Sequence, residues 1–230
     1  MAWALTGSVK QWFVKMEIYI LCTDQHHPVV SRLQEWSAEM LEKHHSVSLV
    51  YDKESLKSGD ILFLVSCSQF IDVDERNKYT ATLVLHASDL PTGRGMSPYI
   101  WSVLNGENQI TVSLLEASEP VDSGDIWLKT KFCLEGHELL PEINAKLFDA
   151  ELLLMSQAVE KFENITPIPQ TGEPGTYMKK RSPADSRLDP EKTIVEQFDL
   201  LRVVDSQRYP AFFDYRGKRY VLRIEKDNNE

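Results

Sequence analysis

The run Asp60-Ile-Leu-Phe-Leu-Val-Ser66 is apolar at every inner position, the pattern of a strand covered on both faces of a sheet. Upstream, Met16-Glu-Ile-Tyr-Ile-Leu-Cys22 has the same compact, β-forming character and predicts a buried first strand. Between the two, Val29, Leu33, Trp36, Met40 and Leu41 recur at helical spacing. That spacing predicts an amphipathic helix ending near His44, with a short strand over Val47–Val50 after it. Downstream, Thr82-Leu-Val-Leu-His86 reads as a fourth strand. Strand, helix, strand and two further buried strands define an α/β fold built on an open, mostly parallel sheet.

The pattern continues to the C-terminus. Ser97–Asn105 reads as a helix stopped by Gly106. Ile110–Leu115 and Ile126–Phe132 read as strands around the turn-rich Asp122-Ser-Gly-Asp125. A long helix over Leu139–Phe162 carries Pro141 in its first turn, where proline is tolerated. Pro167, Pro169, Gly172, Pro174 and Gly175 mark a linker. Beyond it lie a short helix over Ile194–Val204 and two strands joined at Arg216-Gly217-Lys218, a small α+β tail. The expected organisation is an N-terminal extension (1–15), a main domain (16–166), a linker (167–178) and a C-terminal subdomain (179–230).

Composition narrows the function classes. The chain has 230 residues and a net charge of -10, which argues against nucleic acid as the main partner. The tail from Thr176 holds 12 Lys/Arg against 10 Asp/Glu, so the acidic excess lies in the body. No apolar run reaches the roughly 18 residues of a membrane span. Cys22, Cys67 and Cys133 are too few and scattered for a disulfide framework or a cysteine-based zinc site. The pairs His26-His27 and His44-His45 lack the spacing of a metal site, so no metal is expected. A reducing compartment, most simply the cytoplasm, is expected.

The candidate chemistry sits in Leu85-His-Ala-Ser-Asp-Leu-Pro-Thr-Gly-Arg-Gly-Met-Ser-Pro98. His86 ends a buried strand, on the sheet edge where open α/β folds place ligands. Some 36 residues later Val121-Asp-Ser-Gly-Asp-Ile126 presents Asp122 in a turn. A histidine and a carboxylate converging on one pocket are the minimum for proton transfer near neutral pH.

These motifs, in this order, resemble the formyltransferase family: His86-Ala-Ser-Asp-Leu-Pro-Thr-Gly-Arg-Gly-Met-Ser-Pro98, Leu104-Asn-Gly-Glu107, Ile110-Thr-Val-Ser113 and Val121-Asp-Ser-Gly-Asp-Ile126. The tail segments Lys180–Asp189, Leu201-Arg-Val-Val204 and Tyr209-Pro-Ala-Phe-Phe213 are similar to those that follow the catalytic domain in nucleotide-sugar formyltransferases. The resemblance implies a Rossmann-like formyltransferase sheet and 10-formyltetrahydrofolate as one-carbon donor. It implies a nucleotide-linked amino sugar as acceptor and a product used in polysaccharide biosynthesis; a homodimer is one candidate assembly, and the sequence leaves the oligomeric state open. It also implies that His86 and Asp122 are catalytic and that Leu90, Arg94, Gly95 and Gly124 border the donor. The family pairs its histidine with an Asn two residues earlier, and Val84 occupies that position here. Ser66 and Ser68, at the end of the adjacent strand, are the candidate substitutes. The N-terminal half is about one β-α unit shorter than the family's pattern. Two rival readings stay open: a methionyl-tRNA formyltransferase-like enzyme, or a catalytically impaired module that binds a sugar nucleotide or folate.

Overall fold

The computed structural model describes residues 14–227, so the expected N-terminal extension falls almost wholly outside the described residues. Six strands form one sheet: β1 (Glu17–Leu21), β2 (Ser46–Val50), β3 (Gly59–Leu64), β4 (Tyr79–His86), β5 (Gln109–Glu116) and β6 (Ile126–Cys133). Their order is β2-β1-β3-β4-β5-β6. The first four run parallel, and β5 and β6 pair antiparallel at the far edge. The helices are α1 (Val30–Glu42), α2 (Val73–Arg76), α3 (Pro98–Leu104), α4 (Leu140–Glu160) and α5 (Phe198–Arg202). This is the open, mostly parallel α/β sheet that the apolar strand runs predict, in the Rossmann-like form that the resemblance implies.

Strand alternation divides the core. Ile18, Ile20, Ile61, Phe63, Leu83 and Leu85 face Leu33, Trp36 and Met40 of α1 and Leu147, Leu154 and Met155 of α4. Tyr19, Leu21, Leu62 and Leu64 point the other way. There they meet Leu56, Cys67 and Ile71, which lie in the connections between strands. Both faces are covered, as the apolar strands require, but helices cover one and loops with the four-residue α2 cover the other. The connections from β2 to β3 and from β3 to β4 contain no long helix, the structural counterpart of the short N-terminal half. Among the described residues no helix is long and apolar enough to cross a membrane.

The tail departs from expectation in one place. The helix expected over Ile194–Val204 is a 3-10 turn followed by α5, and Ile194 and Val195 stay exposed. The hairpin of β7 (Ala211–Tyr215) and β8 (Lys218–Leu222) forms around Arg216 and Gly217, both at positive φ, as a two-residue turn demands. Tyr220 and Val221 of β8 are about half exposed, at 47% and 48%. Ala211, Leu222 and half-buried Phe213 pack with Leu188, Leu201 and Val204, and Tyr220 stacks on Phe213, with ring centroids 5.5 Å apart.

Candidate functional site

Beyond the C-terminal ends of β3 and β4 lies a cavity of about 720 Å³. β4 delivers His86 to it as its last residue, with only 6% of its surface exposed. The imidazole Nε2 lies 2.9 Å from the Gly93 carbonyl oxygen. A carbonyl only accepts, so Nε2 carries the ring proton and Nδ1 is the basic atom. Nδ1 faces Asp122 Oδ1 at 3.6 Å. Asp122 is itself buried, and its Oδ2 accepts the Gly95 N–H at 2.9 Å. Two residues far apart in sequence thus meet on one wall, held by backbone groups of the glycine-rich loop between them.

The geometry explains both glycines of that wall by close packing. Gly95 has φ +113°, and a β-carbon there would lie 2.3 Å from the Met178 carbonyl oxygen. At Gly124 a β-carbon would lie inside the Glu116 carbonyl. Gly95 lines the cavity; Leu90, Arg94 and Gly124 do not. Leu90 is buried behind the loop, and its carbonyl accepts from Lys129 Nζ. Arg94 donates to Gln170 Oε1 at 3.0 Å. Those three residues therefore shape the loop and the turn from behind.

Val84 lines the cavity two positions before His86 and on the same sheet face. Its register partner on β3 is Leu64, so Ser66 stands level with His86 just past the end of the neighbouring strand. Ser66 and Ser68 also line the cavity. The Ser66 hydroxyl lies 3.4 Å from His27 Nε2, and that of Ser68 lies 3.0 Å from the Thr23 hydroxyl. Burial holds His27 below its ordinary pKa.

Further lining comes from α3 and α4 and was not singled out in the sequence. Glu151 is 7% exposed and lies in the stripe of α4 that also carries Leu147 and Leu154. Its Oε2 has no hydrogen-bond partner among the described residues. Desolvation pushes its carboxyl up to about 8, so it is protonated at neutral pH. Tyr99, also in the cavity wall, donates to Asn144 Oδ1 at 2.9 Å, and burial raises its phenol. The legible signal was a glutamate inside an otherwise apolar helical stripe.

Three cations line the cavity. Arg76 pairs with Glu119, while Arg208 reaches from the tail to Asp24 at 3.1 Å and also holds Asp205. Lys180 makes no ion pair among the described residues. The stretch read as a linker is fastened to this site. Ile168 exchanges backbone hydrogen bonds with Ile126, and Met178 with Arg94 and Met96. Among the described residues no cluster of three or more His, Cys, Asp or Glu side chains is placed to hold a metal ion.

Comparison with known proteins gives this geometry a context. The profile of the Formyl transferase family matches residues 22–159. The fold is similar to methionyl-tRNA formyltransferase from Clostridium thermocellum, at a TM-score of 0.78 and 22% identity, covering 94% of this chain and 95% of that one. It is similar to HypX from Aquifex aeolicus in complex with tetrahydrofolic acid, at 0.77 and 24%, covering 92% of this chain and 38% of that longer one. It is also similar to a 4-N formyltransferase from Francisella tularensis, at 0.67 and 18%, covering 93% and 98%.

Proposed function

The chain belongs to the Formyl transferase family, and from that premise we propose that it formylates the amino group of a nucleotide-linked amino sugar. It is a formyltransferase, and the family's one-carbon donor is 10-formyltetrahydrofolate. A cavity of about 720 Å³ with Leu64, Ile71 and Val84 on one side fits a flat, largely apolar ring system. The observation that carries the reading is the meeting of His86 Nδ1 and Asp122 Oδ1 in that cavity.

In this mechanism the acceptor amine attacks the formyl carbon, and negative charge develops on the formyl oxygen. A proton leaving the amine is received at His86 Nδ1. There the Asp122 carboxylate balances the imidazolium, and the proton passes on to the departing nitrogen of the donor. Gly93 and Gly95 hold ring and carboxylate in place, so that little reorganisation is needed. Ser66 or Ser68 supplies the hydrogen bond that Val84 cannot. Lys180 and Arg208 meet the acceptor's phosphates.

Length does not separate this acceptor from a tRNA, since the chain spans 95% of the Clostridium enzyme. Charge favours the small acceptor, because a net charge of -10 opposes a polyanion. The test is mass spectrometry on a panel of nucleotide-linked amino sugars with 10-formyltetrahydrofolate. A product heavier by about 28 Da is expected. Formylation of methionyl-tRNA with every amino sugar left unchanged would overturn the acceptor assignment. A cytoplasmic homodimer belongs to the same reading and is checked by light scattering.

A further inference from the structure

We infer that Gln170 is a positioning residue for formyl transfer: its side-chain amide fixes the Asp122 turn and, through Arg94, the loop that holds His86. The inference rests on the reading of His86 and Asp122 as the reacting pair.

The first support is conformational. Asp122 has φ +60°, in the left-handed region that side chains other than glycine rarely adopt. Such a conformation persists where the surroundings over-determine it. Within the turn, Ser123 Oγ donates to the Pro120 carbonyl, which closes the loop but leaves the Asp122 carbonyl free. The donor for that carbonyl comes from outside. Gln170 Nε2 donates to the Asp122 oxygen at 2.9 Å and to the Gly124 oxygen at 2.8 Å. One amide group therefore spans the turn.

The second support is connectivity. Gln170 Oε1 accepts from Arg94 Nη2 at 3.0 Å. Arg94 lies between Gly93, whose carbonyl holds His86, and Gly95, whose N–H holds Asp122. Gln170 thus touches both segments that set the separation of the pair. The strap that carries it is fixed at its ends by the Ile126–Ile168 and Gly95–Met178 bridges. Gln170 does not line the cavity, so its effect on the reaction passes through Asp122 and Arg94 rather than through substrate contact.

A misplacement of the pair by about an ångström is expected to slow chemistry up to about 100-fold without weakening substrate binding. Gln170→Ala is therefore expected to lower kcat about 10- to 100-fold and leave KM for 10-formyltetrahydrofolate within about twofold. Gln170→Glu keeps an acceptor for Arg94 but loses the donor to the turn, and is expected to lose as much kcat. The decisive comparison uses Asp122→Ala. If Gln170 acts through Asp122, Gln170→Ala added to Asp122→Ala lowers kcat little further. Multiplying losses, or full kcat in Gln170→Glu, would overturn the positioning role. Full kcat in Gln170→Ala with an inactive Asp122→Ala overturns that role and leaves the catalytic pair standing. An Asp122→Ala enzyme with full kcat overturns the pair, and the role of the residue that holds it falls too. Melting temperatures measured alongside identify a variant that fails by unfolding, in which case Gln170→Glu carries the same comparison.

Discussion

On the wall built from β4 and the Asp122 turn, the ring nitrogens and carboxylate oxygens meet protein partners: Gly93, Gly95 and one another. On the α4 wall, Glu151 lies equally buried, yet its Oε2 has none among the described residues. On the first wall, backbone groups of the glycine-rich loop hold the ring and the carboxylate in place before substrate arrives. The second keeps a buried polar group unpaired, which lowers stability unless a ligand completes it. The two parts of the cavity lining thus differ in how their buried polar groups are held.

The comparison is most exposed at the satisfied wall. His86→Ala is expected to lower turnover about 10²- to 10⁴-fold, the range of a positioned acid-base group. Steady-state kinetics with a melting curve checks this, and an active variant would break the assignment of chemistry to this wall. Next come the serines. If one of them replaces the family Asn, Ser66→Ala or Ser68→Ala is expected to cost about 10²- to 10³-fold in turnover. Should both variants keep full activity, no serine serves as the oxyanion donor. An inactive wild type revived by Val84→Asn would mark a decayed enzyme.

The unsatisfied wall is tested by pH. Glu151 is raised in the folded state to about 8 from an ordinary 4.5. The folded protein therefore binds the extra proton between those values. Stability from this group is present below pH 4.5 and is lost as pH rises towards and through 8. Glu151→Gln, which cannot ionise, is expected to match wild type in stability near pH 4.5 and exceed it by a few kcal/mol near pH 8 to 9. Chemical denaturation at both pH values measures the difference, and an equal gap at both would show that Glu151 does not titrate there. The smallest effect belongs to the backbone of the first wall. Gly95→Ala is expected to cost at least about 1 kcal/mol, through its positive φ and the contact with Met178. A neutral melting temperature would mean that the strap gives way easily.

Much of this was legible beforehand, and what was missed has definable causes. The six strands, α1, α3 and α4 follow from hydrophobic period, because burial of one face leaves its mark at fixed spacing. His86 and Asp122 stood out through motif order. Gln170 carried no signal: a glutamine after Pro169 in a proline- and glycine-rich stretch reads as linker until the stretch is seen bound to two loops. The helix expected over Ile194–Val204 is broken into a 3-10 turn and α5, with Val195 exposed, because apolar residues in a short segment do not by themselves say whether a core meets them.

The sequence by itself determined the sheet, its helices and the residue types at its active edge, since each depends on neighbours within a few positions. Only the tertiary structure decided that one sheet face would be covered by loops. It alone set Nδ1 of His86, rather than Nε2, against Asp122 and fastened the strap over the turn. It alone left Glu151 Oε2, in the cavity lining, without a partner among the described residues. Those outcomes depend on which distant groups meet, and a side chain's partner, tautomer and desolvation belong to that meeting rather than to the residue.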